Sequence, residues 1–73
     1  MAQPVTAILA RQSELAAHAR RSTGDVNEAS LLVGRVICRA FGRFKGPAPE
    51  AEISAAMRLD LDAMIEQALR LRH

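Results

Sequence analysis

The sequence predicts an all-α fold, a compact three-helix bundle, and three observations carry that expectation. Apolar residues recur at the helical period in three successive stretches. Glycine and proline signals separate those stretches. Nowhere does the chain show the strict alternation of a half-buried strand. The helices are expected at about 4–22, 25–44 and 49–71, forming a single helical domain over residues 1–73.

The first helix opens at Pro4, whose missing N–H and fixed φ suit a first turn. Val5, Ile8, Leu9, Leu15, Ala16 and Ala19 give it an apolar stripe that contains one polar residue, Gln12. Arg11, Glu14, His18 and Arg21 lie outside the stripe. Ser22-Thr23-Gly24 ends it, with Gly24 suited to the left-handed position beyond a helix C-terminus. The second helix has its own start signal: Asp25 as N-cap with Glu28 three residues on, the pattern of a capping box. Val26, Ala29, Val33, Val36, Ile37, Ala40, Phe41 and Phe44 then fall on one face, with Leu32 flanking it. Arg35, Arg39 and Arg43 follow one another at single-turn spacing on the other. Lys45-Gly46-Pro47-Ala48-Pro49 cannot continue a helix and is the one clear linker. The third helix carries the widest apolar face: Ile53, Met57, Leu61, Met64, Ile65, Ala68, Leu69 and Leu71. Glu50 and Glu52 in its first turn and Arg70 and Arg72 in its last suit the helix dipole.

A chain of 73 residues buries only about 60% of its unfolded surface, so a source of extra stability is expected. The single cysteine excludes an internal disulfide, and His18, Cys38 and His73 show no paired ligand spacing. What remains is good helix packing, self-association or a partner. The breadth of the third helix's apolar face favours a covering chain. The opening MAQPVTAILARQ lacks a basic lead and a long apolar run, so neither a signal peptide nor a membrane span is expected, and the expected compartment is the cytoplasm. Net charge is +2. Residues 1–45 hold seven basic and three acidic side chains, a balance of +4, and residues 46–73 hold three and five, a balance of −2. Such halves are able to pair with each other, which weakens any inference of nucleic-acid binding from overall charge.

The chemistry-bearing residues are few. No nucleophile–base pair, phosphate loop or carboxylate dyad is present, so no catalytic residue, cofactor or small-molecule ligand is expected. Cys38 has no histidine or acid one turn away and reads as a small packing residue; His18 reads as solvated near Glu14. Asp60, at the edge of the third helix's apolar face, is placed to pair with an arginine across the bundle. Gly34, Cys38 and Gly42 recur every fourth residue on one side of the second helix, with Leu31 close to the same line. Either this strip is a docking groove for a partner helix or it packs against a neighbouring helix of the same chain. The arginine face, Arg35, Arg39 and Arg43 with Lys45, would contact phosphates in a small DNA-binding accessory protein. Otherwise it is solvated or pairs with Asp60, Asp62 and Glu66.

The run Ala17-His18-Ala19-Arg20-Arg21-Ser22-Thr23-Gly24-Asp25, followed by Glu28-Ala29, Leu32-Val33 and Arg39-Ala40-Phe41, resembles region 2 of the extracytoplasmic-function sigma factors over about residues 10–44. The resemblance implies a helical module of transcription that docks on the clamp helices of RNA polymerase. This chain departs from the pattern at the docking face. Ser30 and Leu31 stand where the family carries acidic residues, and Gly34 and Arg35 stand where it carries glutamine and glutamate. Docking on a basic clamp is thereby weakened. Beyond Phe44 the chain has no aromatic residue, so it lacks the stacking platforms that capture single-stranded promoter bases. The expectation is a non-enzymatic, truncated sigma-like module that regulates transcription by binding a protein, an anti-sigma-like protein or a polymerase subunit. It would do so through Leu31, Gly34, Arg35, Cys38, Arg39 and Gly42. The alternatives are the DNA-binding accessory protein and a structural homodimer paired through the third helix.

Overall fold

The computed structural model describes residues 2–72. The helices are α1 (Pro4–Ala10), α2 (Gln12–Thr23), α3 (Val26–Arg43) and α4 (Glu50–Leu71), and every pair of them is in contact. α1 and α2 together are the expected first helix, interrupted at Arg11, so the architecture is a three-helix bundle. The ion pairs fix the directions. Glu28–Arg72 and Arg39–Asp60 run α3 against α4, whereas Arg11–Glu50 and His18–Asp62 run α2 alongside α4. The molecule is elongated, 41 Å by 18 by 16 Å, and α4, at 22 residues, is its longest helix. No helix of the described residues is long and apolar enough to cross a membrane.

The interruption at Arg11 corrects the expectation of one helix over about 4–22. An unbroken helix would carry Gln12 into the middle of the Ile8–Leu15–Ala19 face and bury an amide among apolar groups. Instead the Arg11 N–H donates to the Ile8 carbonyl at 3.1 Å, tightening one turn. The buried side then passes from Ala7 and Ile8 in α1 to Leu15, Ala19 and Thr23 in α2, and Gln12 is exposed. The same rotation leaves Val5 and Leu9, both expected in the stripe, facing solvent. The Arg11 guanidinium spans the break, reaching Glu14 at 3.0 Å and Glu50 at 2.7 Å. The hydrogen bond and charge of Glu14, with Glu50 adding to them, raise its pKa above the ordinary arginine value.

The turn into α3 forms as the sequence implies. Gly24 takes φ +71°, where a side chain would be strained, and the Asp25 carboxylate accepts the Glu28 N–H at 3.0 Å. Only half of the capping box is made. The Glu28 carboxylate does not return to the N-cap but accepts from Arg72 at 2.8 Å, while the Asp25 N–H donates to Thr23 Oγ1 at 3.3 Å. The buried Thr23 hydroxyl in turn donates to the Ala19 carbonyl at 2.9 Å. Arg72 also donates to the Thr23 carbonyl at 2.9 Å and so clamps the end of α4 onto the α2–α3 turn.

The core consists of Ala7, Ile8, Leu15 and Ala19 from the first helical arm, Ala29, Leu32, Val33, Val36 and Ala40 from α3, Phe44, and Ile53, Met57, Leu61 and Ile65 from α4. On α3, two residues expected in the core are outside it: Val26 is 63% exposed at the helix N-terminus and Phe41 is 37% exposed. The core occupies a narrower arc of α3 than the apolar pattern spans. Across the linker, Ala2 and Ala48 exchange both backbone hydrogen bonds, at 3.0 and 3.2 Å, which ties the segment before α1 to the α3–α4 connection. α4 leaves apolar groups uncovered: Leu59 and Leu71 are exposed, and Met64 and Ala68 are half-buried.

Candidate functional site

Five of the six residues expected to bind a partner line one open groove. Leu31, Gly34, Arg35, Cys38 and Arg39, with Ser30, form its α3 wall, and Met64 and Gln67 form its α4 wall, around a hollow of about 700 Å³. Gly42, the sixth, lies outside it. A second hollow of about 380 Å³ continues toward the start of α3 and the end of α4. It shares Leu31 and Arg35 and adds Glu28, Leu32, Ala68, Leu71 and Arg72.

The α3 wall is low at Ser30, Gly34 and Cys38, between the larger Leu31, Arg35 and Arg39. Gly34 stands in the middle of an 18-residue helix, and a Cβ placed there meets nothing within 4 Å. Packing against another helix of the chain, one of the two explanations for the Gly34–Cys38–Gly42 repeat, is therefore not what the repeat does. The same openness holds at Gly42. A helix-interior glycine is about 0.8–1.0 kcal/mol less favourable than alanine, and no close packing inside this chain offsets it. Leu31 projects at the groove's edge, 64% exposed, and Leu71 at its far end is 80% exposed. Cys38 is an exposed free thiol. Met64 was expected in the core; it is half-buried and forms part of the α4 wall, where its adaptable side chain fits an interface.

The arginine face does not act as one unit. Arg39 Nε donates to Asp60 at 2.8 Å, the cross-bundle pairing expected of Asp60. The Arg39 side chain nevertheless stays 66% exposed. Arg43 lies over the ring of its neighbour Phe44, 5.5 Å from the centroid. Asp62 and Glu66 pair elsewhere: Asp62 with Arg58 and His18, Glu66 with Arg70. Arg35, Arg43 and Lys45, like Arg20 and Arg21, make no ion pair with a described residue. His18 is not solvated as expected. Its Nε2 lies 2.8 Å from Asp62 and its Nδ1 3.4 Å from Arg58, which makes it a polar link between α2 and α4. Among the described residues no group of three or more metal-ligating side chains is brought together, and His73 lies outside them.

Comparison with protein-family models, curated proteins and solved structures finds no match to the chain.

Proposed function

We propose that this chain is a non-catalytic, cytoplasmic protein-binding module that receives a helix of a partner protein in the groove between α3 and α4. One observation supports this above the others. The groove residues converge around a mid-helix glycine whose side-chain space is empty, beside a leucine left in solvent. A glycine there lets a second helix approach α3 closely, and Leu31 gives it an apolar anchor. The setting in transcription rests on the likeness of residues 10–44 to sigma region 2. The substitutions at Ser30, Leu31, Gly34 and Arg35 replace the family's acidic docking face with a small, apolar and basic one. A partner that binds this face differs in charge from a basic clamp, which favours an anti-sigma-like protein over a polymerase subunit.

The test is capture of binding proteins from the source cells with the wild-type chain and with Gly34→Leu as baits. A transcription regulator retained by the first and lost by the second supports the reading. Partner binding that survives Gly34→Leu overturns it. A second reading has its own observation: five cations, Arg20, Arg21, Arg35, Arg43 and Lys45, have no ion-pair partner among the described residues. As a DNA-binding accessory surface they would give weak, steeply salt-dependent binding. Absence of duplex binding at low salt, or binding unchanged by Arg35→Glu, removes that reading. Light scattering over a range of concentrations tests the third, a homodimer through α4.

A further inference from the structure

Accepting that groove as the docking site, we infer that its occupant is an acidic amphipathic helix of another protein. The two hollows adjoin, with Leu31 and Arg35 lining both, and together they are called the channel. Along α3 the channel runs from Glu28 to Arg39, which at 1.5 Å per residue is about 16 Å, or about three helical turns. Both walls are helices, whose backbone donors and acceptors are used internally. No strand edge is offered to an extended peptide, so recognition falls to side chains, and the matching ligand is a helix with one apolar face. Leu31, Met64 and Leu71 supply the apolar contacts.

Charge fixes the rest of the ligand's chemistry. Three guanidiniums line the channel, Arg35, Arg39 and Arg72, a balance of +1 once Asp60, bound by Arg39 outside the lining, is counted with the one lining carboxylate, Glu28. That carboxylate is already held by Arg72 at 2.8 Å. Arg35 has no partner among the described residues, and Arg39 keeps donors free beyond the Nε used on Asp60. A helix with glutamate or aspartate flanking its apolar stripe satisfies these groups. A second copy of this chain fits worse, because a two-fold contact centred on this channel sets Arg35 against its own copy. A nucleic acid also fits worse, because phosphates leave Leu31 and Leu71 without an apolar partner and the channel offers no aromatic ring for stacking.

The experiment is a display selection against the full chain. The library consists of helical peptides with leucine fixed at i, i+4 and i+7 and every other position drawn from Glu, Lys, Gln and Ala. Binding is read for wild type, Gly34→Leu and Arg35→Glu, with helicity of each variant confirmed by circular dichroism. The expected result is enrichment of Glu over Lys beside the leucines by about tenfold or more, loss of these binders with Gly34→Leu, and a swing toward Lys with Arg35→Glu. Binders that require Gly34 but show no acidic bias overturn this inference and leave the groove reading standing. Failure to select any peptide sensitive to Gly34→Leu overturns both. A concentration-dependent dimer abolished by Gly34→Leu makes the occupant a second copy, and duplex DNA binding lost with Arg35→Glu but kept with Gly34→Leu makes it nucleic acid. Either result also overturns the inference.

Discussion

Replacing Gly34 by alanine is expected to stabilise this protein. In the middle of α3 the change removes the conformational cost of glycine, about 0.8–1.0 kcal/mol in a helix interior. The added methyl meets nothing within 4 Å, so no clash subtracts from the gain and no burial adds to it. For a domain of this size the gain is a rise in Tm of about 3–8 °C. Gly42, eight residues on and in the last turn of the helix, has the same open surroundings but a smaller return, because helix ends order less residue for residue than interiors. The two sites are about 12 Å apart along the axis, so their effects add. Gly24 supplies the internal control. Its Cβ would also meet nothing, yet φ is +71°, so Gly24→Ala costs about 1–2 kcal/mol. The assay is thermal and urea unfolding of the three single variants. Opposite signs at Gly34 and Gly24 are expected. A loss of stability with Gly34→Ala would refute the reasoning, because it would mean that the position is packed within the chain and that its glycine serves the fold rather than a partner.

Three further outcomes follow from the same geometry. Asp25→Ala removes the acceptor of the Glu28 N–H and lowers stability by about 1 kcal/mol in urea unfolding, with amide exchange quickening first at the start of α3. Leu61→Ala, at a fully buried position, costs about 2–5 kcal/mol, a large share of the about 4–11 kcal/mol available to a domain of this length. Its unfolding midpoint falls accordingly, or the variant is unfolded at 37 °C. Leu31→Ala changes the melting temperature little, because the side chain is mostly in solvent. It weakens capture of a groove-binding helix by about 1–2 kcal/mol, roughly 5–30-fold in Kd by calorimetry.

What could be read from the sequence was local. The extent of α3, the Asp25 side-chain cap and the left-handed Gly24 each depend on residues within one or two turns and took the expected form, while Val26 and Phe41 fell outside the core and Glu28 did not close the capping box. The break at Arg11 has no signal in helix propensity, since arginine and glutamine are both good helix formers, and its one sign in the sequence is Gln12 inside the apolar stripe. It arises because the bundle has no place for Gln12 in its core. The other features that escaped are contacts between residues distant in sequence: Ala2 with Ala48, His18 with Asp62, and Arg72 with Thr23 and Glu28. The candidate site divides the same way. Its α3 wall was legible in part, through Leu31, Gly34 and Cys38, while Gly42 of the same repeat lies outside it. Its α4 wall, Met64 and Gln67, depends on the register between two antiparallel helices, which periodicity within each helix does not specify.

Cys38 provides the most direct check on the central claim, because the chain's single thiol lies in the wall of the groove and is exposed. The measurement is the rate of Cys38 alkylation by iodoacetamide, for the chain alone and with a bound helical peptide from the selection. At a peptide concentration about a hundred times Kd, about 1% of the chain is free, and alkylation is expected to slow toward that fraction. An alkylation rate unchanged at saturation would place the bound helix elsewhere on the molecule and contradict the account.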